Sequence, residues 1–186
     1  MRALVVYESM YGNTRAAATA VAEGLRISYQ VDVLPVGAAT AELVAEADLL
    51  VVGGPTHMHG LSRASSRKAA VEASRKPGGP ELDSDAQGTG AREWLEALAI
   101  RERSAAAAFD TRMSGPQSLT GRAGVGIARR LRRRGYRLVT SPASFIVDKQ
   151  NHLLPGEIQR AAQWGRALAA NADAAHDPAA QPGVAS

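Results

Sequence analysis

Ala3-Leu4-Val5-Val6-Tyr7-Glu8-Ser9-Met10-Tyr11-Gly12-Asn13-Thr14 begins as an unbroken apolar run, ends in a short polar loop, and leads directly into an alanine-rich helical pattern. Five apolar residues in a row, bounded by polar ones, suit a strand buried on both faces. A strand that ends in a tight loop opening a helix leaves backbone N–H groups without intrahelical acceptors, aimed at one point and reinforced by the helix dipole. An anion fits that point. Ser9 and Thr14 supply hydroxyls and Asn13 an amide, while Gly12 lets the backbone approach closely in a conformation other residues resist. The plainer reading is an ordinary helix cap, but a cap needs one hydroxyl, and this loop offers two together with an amide and a glycine.

Working outward, apolar runs alternate with helical patterns, which implies a parallel sheet with helices on both faces. Strands are expected at Ala3 to Tyr7, Gln30 to Val36, Asp48 to Gly53 and Arg137 to Thr140. Helices are expected over 14 to 26, with Ala17, Val21 and Leu25 on one stripe, over 40 to 46 behind Thr40, and over 157 to 169. The segment Glu93 to Phe109 would be one helix by propensity alone. A doubly wound sheet needs a central strand there, so the helix is ended near Arg101 and the strand placed at Ala105 to Phe109. Residues 77 to 90, with glycine dipeptides and two prolines, read as an exposed loop without chemistry. One domain is expected over residues 1 to 170, and a frayed tail over 171 to 186.

The chain has 186 residues, no cysteine and a formal charge of +4, from 22 Lys and Arg against 18 Asp and Glu. Without cysteine there is no disulfide framework, thiolate metal site or thiol catalysis, so any redox chemistry comes from a cofactor. No stretch has the apolar length to cross a bilayer, and the start is too short for a signal peptide, so a cytoplasmic protein without membrane insertion is expected.

Ser9-x-Tyr11-Gly12-Asn13-Thr14 after a first strand resembles the FMN phosphate loop of the flavodoxin family, and the later strand and helix plan follows the same course. The resemblance implies a flavodoxin-like α/β fold: a five-stranded parallel sheet of order 2-1-3-4-5 with one noncovalent FMN at its carboxyl edge. Ligands of open α/β sheets sit beyond the strand ends, which directs attention to three loops. The first is Ser9, Met10, Tyr11, Gly12, Asn13 and Thr14, for the phosphate. The second follows the third strand, where Gly54-Pro55-Thr56 resembles the family's turn beside the ribityl chain; Thr56 would donate its hydroxyl, and His57, Met58, His59 and Gly60 would lie near the ring. The third is Phe109, Asp110, Thr111 and Arg112, which the plan brings to the pyrimidine edge or leaves as a simple turn. His57 and His59 are equally readable as polar residues of an exposed loop, and two histidines do not make a metal site.

Two departures from the family stand out. Its electron carriers are typically acidic, whereas this chain is basic, and both tryptophans, Trp94 and Trp164, fall in helices rather than at the loops that would stack on the ring. The run Arg129, Arg130, Arg132, Arg133 and Arg134 has no interleaved aromatics; with Ile127, Ala128 and Leu131 opposite, it reads as the solvated face of a surface helix that does not bind nucleic acid specifically. Gly121, Gly124 and Gly126 do not form a dinucleotide fingerprint. A receiver domain fails for want of an acidic pair and of a phosphorylatable Asp after the third strand. The expected task is electron transfer to a redox partner protein or a small acceptor such as a quinone. The alternatives are an FMN-dependent quinone reductase, which Ser9-Met10-Tyr11-Gly12 also resembles, and a flavin-free interaction protein that docks through the arginine helix.

Overall fold

The computed structural model describes residues 1–57, 60–115 and 120–176. Its elements run β1 (Arg2–Tyr7), α1 (Asn13–Leu25), β2 (Gln30–Pro35), α2 (Ala41–Glu46), β3 (Leu49–His57), β4 (Gly60–Leu61), α3 (Ala64–Ser74), α4 (Ala91–Ala97), β5 (Ala105–Met113), α5 (Ala123–Arg133), β6 (Arg137–Leu138), β7 (Ala143–Val147) and α6 (Glu157–His176). The sheet path is β2-β1-β3-β5-β6, all parallel, with β7 also parallel to β5 and β4 folded back antiparallel on β3. Taking β6 and β7 as two pieces of one interrupted strand, this is the doubly wound order 2-1-3-4-5.

Alternation along each strand divides the core into two layers. Ala3, Val5, Leu49, Val51, Ala105, Ala107 and Phe109 pack under α1 and α6. Leu4, Val6, Leu50, Val52, Ala106 and Ala108 pack under α2, α4 and α5. The central strand is the alanine run that propensity assigns to a helix, and packing on both faces overrides that preference. Its Phe109 ring lies over Gly53, where an added Cβ would stand 2.0 Å from the ring. The same ring meets Phe145 and Trp164 edge to face, with centroids 5.7 and 6.1 Å away.

Several element boundaries differ from those expected. β3 continues past Gly53 to His57 and β5 past Phe109 to Met113, because Gly53, Gly54 and Pro55 pair with Phe109, Asp110 and Thr111. What looked like the start of two loops is therefore sheet. The last strand is split: Leu138 pairs with Ala106 and Ala143 with Phe109, so four residues, 139 to 142, span two on β5. Pro142 and the offset break the ladder, and the Ala143–Val147 half lies beyond the strand expected at Arg137 to Thr140. α4 stops at Ala97 rather than near Arg101, since Leu98 turns extended at ψ 134°. α6 runs on to His176, past the expected boundary at 170; residues 177–186 lie outside the described residues.

Residues 62 to 90 rise over the carboxyl edge of the sheet. The 77 to 90 segment, expected to be an exposed loop, is largely exposed but also packs on the first loop: the Asp83 N–H donates to Met10 O at 2.8 Å, and Arg15 pairs with Asp83 at 3.4 Å. Met10, Tyr11, Ala70, Leu82 and Ala86 form a small core of their own there. Among the described residues no helix is long and apolar enough to cross a membrane.

Candidate functional site

Loop one turns through Gly12, whose φ of 82° is left-handed and open to glycine at little strain. α1 then starts at Asn13 with no side-chain cap and no acidic residue in its first turn. Its early N–H groups have no intrahelical acceptor, and nothing in its own sequence offsets the positive end of its dipole. This uncapped start of a 13-residue helix opens on a cleft of about 310 Å³.

Met10, Tyr11, Asn13 and Thr14 of the first loop, Pro55, Thr56 and His57 of the second segment, and Thr111 and Arg112 of the third line that one cleft. Three segments far apart in sequence thus converge as the topology requires. Met113, Val147 and Asn151 complete the wall. Sequence reasoning missed Val147 and Asn151, although the short apolar run Phe145-Ile146-Val147 followed by Asp148 to Asn151 is a readable turn signal; Asp148 Oδ1 accepts from the Gln150 and His152 N–H groups at 2.8 and 2.9 Å.

Several expected donors turn out to bind the protein itself. Ser9 is buried, and its Oγ accepts from the Gly12 N–H at 3.1 Å, so it closes the loop while keeping its own proton. Asn13 is a correction: Nδ2 donates to Asn151 O at 2.6 Å and Oδ1 accepts from the Leu153 N–H at 3.2 Å. Its side chain staples the 148–153 turn to α1, which leaves only its backbone amide for the niche. Thr14 and Thr111 share a hydroxyl hydrogen bond of 2.8 Å, buried at the cleft floor. Thr56 Oγ1 accepts from the Ala123 N–H at 3.0 Å, and Asp110 Oδ2 from the Gly124 N–H at 2.7 Å. These two side chains therefore cap α5 and hold it against the strand ends.

Phe109 is also corrected, being fully buried in the core and absent from the cleft wall. Asp110 is fully buried as well, and burial pushes its carboxyl above the usual range despite the Gly124 amide and nearby arginines. Met58 and His59 lie outside the described residues. Gly60 pairs with His57 in the β3–β4 hairpin. Neither tryptophan lines the cleft: Trp94 is on α4 and Trp164 on α6.

Two polar atoms on the cleft residues are buried without a partner, His57 Nε2 and Arg112 Nε. Burial holds the His57 imidazole below its usual 6.5, so it stands neutral near pH 7. Arg112 is fixed through Nη1, which donates to Met113 O, Gly115 O and Thr120 Oγ1 at 3.2, 3.1 and 2.9 Å. The cleft thus combines an uncapped helix start with unpaired nitrogens on its lining residues, a set suited to a phosphate carrying a polar ring system.

Residues 5–94 match the family model for flavodoxin. Over that segment, just under half of the chain, its sequence is similar to flavodoxins. Its fold is also that of solved flavodoxins. A flavodoxin from the domain Archaea is 19% identical, with 93% of this chain and 99% of that one covered, at a TM-score of 0.63. Flavodoxin 2 from Bacillus cereus is 19% identical over 91% and 99%, at 0.61. The flavodiiron protein from Giardia intestinalis is 18% identical over 93% of this chain but only 36% of that one, at 0.61, so the flavodoxin fold also occurs as part of a longer chain. At such identities the likeness to these structures is one of fold. No curated protein matches the chain by sequence. The chain carries a net charge of +4, and neither tryptophan is among the residues lining the cleft.

Proposed function

We propose that this chain is a flavodoxin-like protein that binds one FMN noncovalently in the cleft and serves as an electron carrier. The observation that carries the reading is the uncapped, acid-free start of α1 behind a left-handed Gly12, opening on the cleft where the three strand-end segments meet. The amides of the first turn would hold the phosphate, with the Ser9 and Thr14 hydroxyls behind them. Pro55, Thr56, His57, Thr111, Arg112 and Met113 would flank the ring. When bound, the flavin accepts and releases the electrons. The chain's residues bind and orient: Thr56 keeps a proton to donate while it accepts from α5, His57 stays neutral, and Arg112 brings a guanidinium to the cleft wall.

Partners follow from charge. A basic carrier is drawn to acidic redox proteins, and a small acceptor such as a quinone is served by the same open cleft. In this reading the protein works in the cytoplasm. The test is electron transfer by the FMN-loaded chain: reduced chemically, it passes electrons to an external acceptor, and it does not itself oxidise NADH or NADPH at a steady rate with a quinone. Sustained NAD(P)H-dependent quinone reduction by the loaded protein alone would replace the carrier with a reductase.

A further inference from the structure

On the opposite face of the sheet from α1 and α6, a cavity of about 480 Å³ lies between α2 and α4. None of its lining residues belongs to the flavin cleft. The cause is in the sequence: alanines at 39, 41, 45, 97 and 99 line it, and methyl groups are too short to meet across the gap between two helices. Val44, Trp94 and Leu98 complete its apolar wall, and Arg101 is the one charged residue lining it. Such a volume, mostly apolar with one fixed polar group, has the character of a small-molecule site.

Both ends of the gap are pinned. The Trp94 indole N–H donates to Ala39 O at 3.1 Å, which satisfies its polar edge and presents the ring to the cavity. Arg101 Nη1 donates to Val44 O at 2.8 Å, which fixes the guanidinium and leaves its other N–H groups. Among the described residues no carboxylate forms an ion pair with Arg101. The buried Tyr136 hydroxyl, without a hydrogen-bond partner, is near enough to feel the Arg101 charge.

We propose that this cavity is a second ligand site, taking an organic anion in which a carboxylate or sulfonate is borne on an aromatic or branched aliphatic body. The anionic group pairs with Arg101, which suits carboxylates through two parallel N–H donors. The body lies on the alanine wall against the Trp94 ring. A neutral apolar molecule would leave the guanidinium without its counter-charge, and an inorganic anion would leave the apolar volume unfilled.

Calorimetric titration of the full chain with 2-naphthoate and with its uncharged analogue 2-naphthylmethanol is the test. The expected result is one saturable site for naphthoate, at least about tenfold tighter than for the alcohol, with a change in tryptophan fluorescence that Trp94→Phe removes. Ala45 and Ala97 are exposed on their helices, so Ala97→Phe fills the cavity without entering the core and should abolish binding of both probes. Arg101→Lys should keep part of the preference for the anion and Arg101→Met none of it. Equal affinity for the two probes, or binding undiminished in Ala97→Phe, overturns the proposal. Should Arg101→Met fail to fold, the comparison of the two probes on the unaltered chain decides. The outcome is independent of whether FMN is bound.

Discussion

Glu8 stands between the first strand and the phosphate loop, and its carboxylate is almost wholly buried. Oε1 accepts from Ser62 Oγ and Oε2 from the Ala91 N–H at 2.7 Å, so one side chain ties β1 to the segment after the hairpin and to the start of α4. Burial raises its pKa above 4.5, outweighing those hydrogen bonds and the nearby Arg67. A raised folded-state pKa gives stability that is complete below the unfolded value and lost as pH rises through the folded one. Glu8→Gln keeps an acceptor for Ala91 and removes the charge; denaturant melts from pH 4 to 8 should therefore show a flatter stability profile in the variant, and an identical profile would contradict this account. His57 carries the opposite sign. Its depressed pKa gives stability present above 6.5 and lost as pH falls through the lowered value, so its NMR titration midpoint should lie below 6.5 and rise on denaturation. At this scale the loop chemistry was legible, but its allocation was not. Asn13 was legible as a donor; that its two ends would meet residues 151 and 153 depends on contacts across some 140 positions, which no local pattern records.

The elements are held at separations that single residues set. α1 and α6 approach through Gly24 and Gly165: an added Cβ on the first would stand 2.1 Å from Ala162 O, and on the second 2.2 Å from Val21 O. Gly165→Ala must push the helices apart, at a destabilisation of about 1–3 kcal/mol, the range for overpacking, and should weaken FMN binding by shifting the helix start. Thermal melts with and without FMN measure both. α5 hangs from Thr56 and Asp110 at its first turn, while its arginines crowd the last turn, where they favour the helix dipole. Arg130 pairs with Glu96 at 3.8 Å and Arg134 donates to Glu96 O, as a helix face packed beside α4 would. Thr56→Val should lower stability by about 1 kcal/mol through loss of the cap, with faster hydrogen exchange at the Ala123 amide. Alternation and caps made β1, β2, α1 and α2 readable to within a residue or two. The lengths of β3 and β5 were not, because Gly53, Gly54 and Pro55 carry turn chemistry locally and are kept in the sheet only by pairing with β5.

For the whole molecule, the order of elements was legible because alternating apolar strands and amphipathic helices admit few right-handed windings. The excursion over residues 62 to 90 was not, since its packing on Met10 and Tyr11 is tertiary. Charge acts at this scale too. With a net charge of +4, the proposed carrier role predicts that electron transfer to an acidic acceptor protein should slow as ionic strength rises, while transfer to an uncharged quinone should not. Stopped-flow mixing at two salt concentrations separates the two. The central claim is that the start of α1 holds the phosphate of a flavin. Titrating the flavin-free chain with FMN and with riboflavin, followed by quenching of flavin fluorescence, tests it most directly. Two charge-assisted hydrogen bonds of about 1.5 kcal/mol each predict FMN bound on the order of a hundredfold more tightly; equal affinities, or no uptake of FMN, would contradict the account.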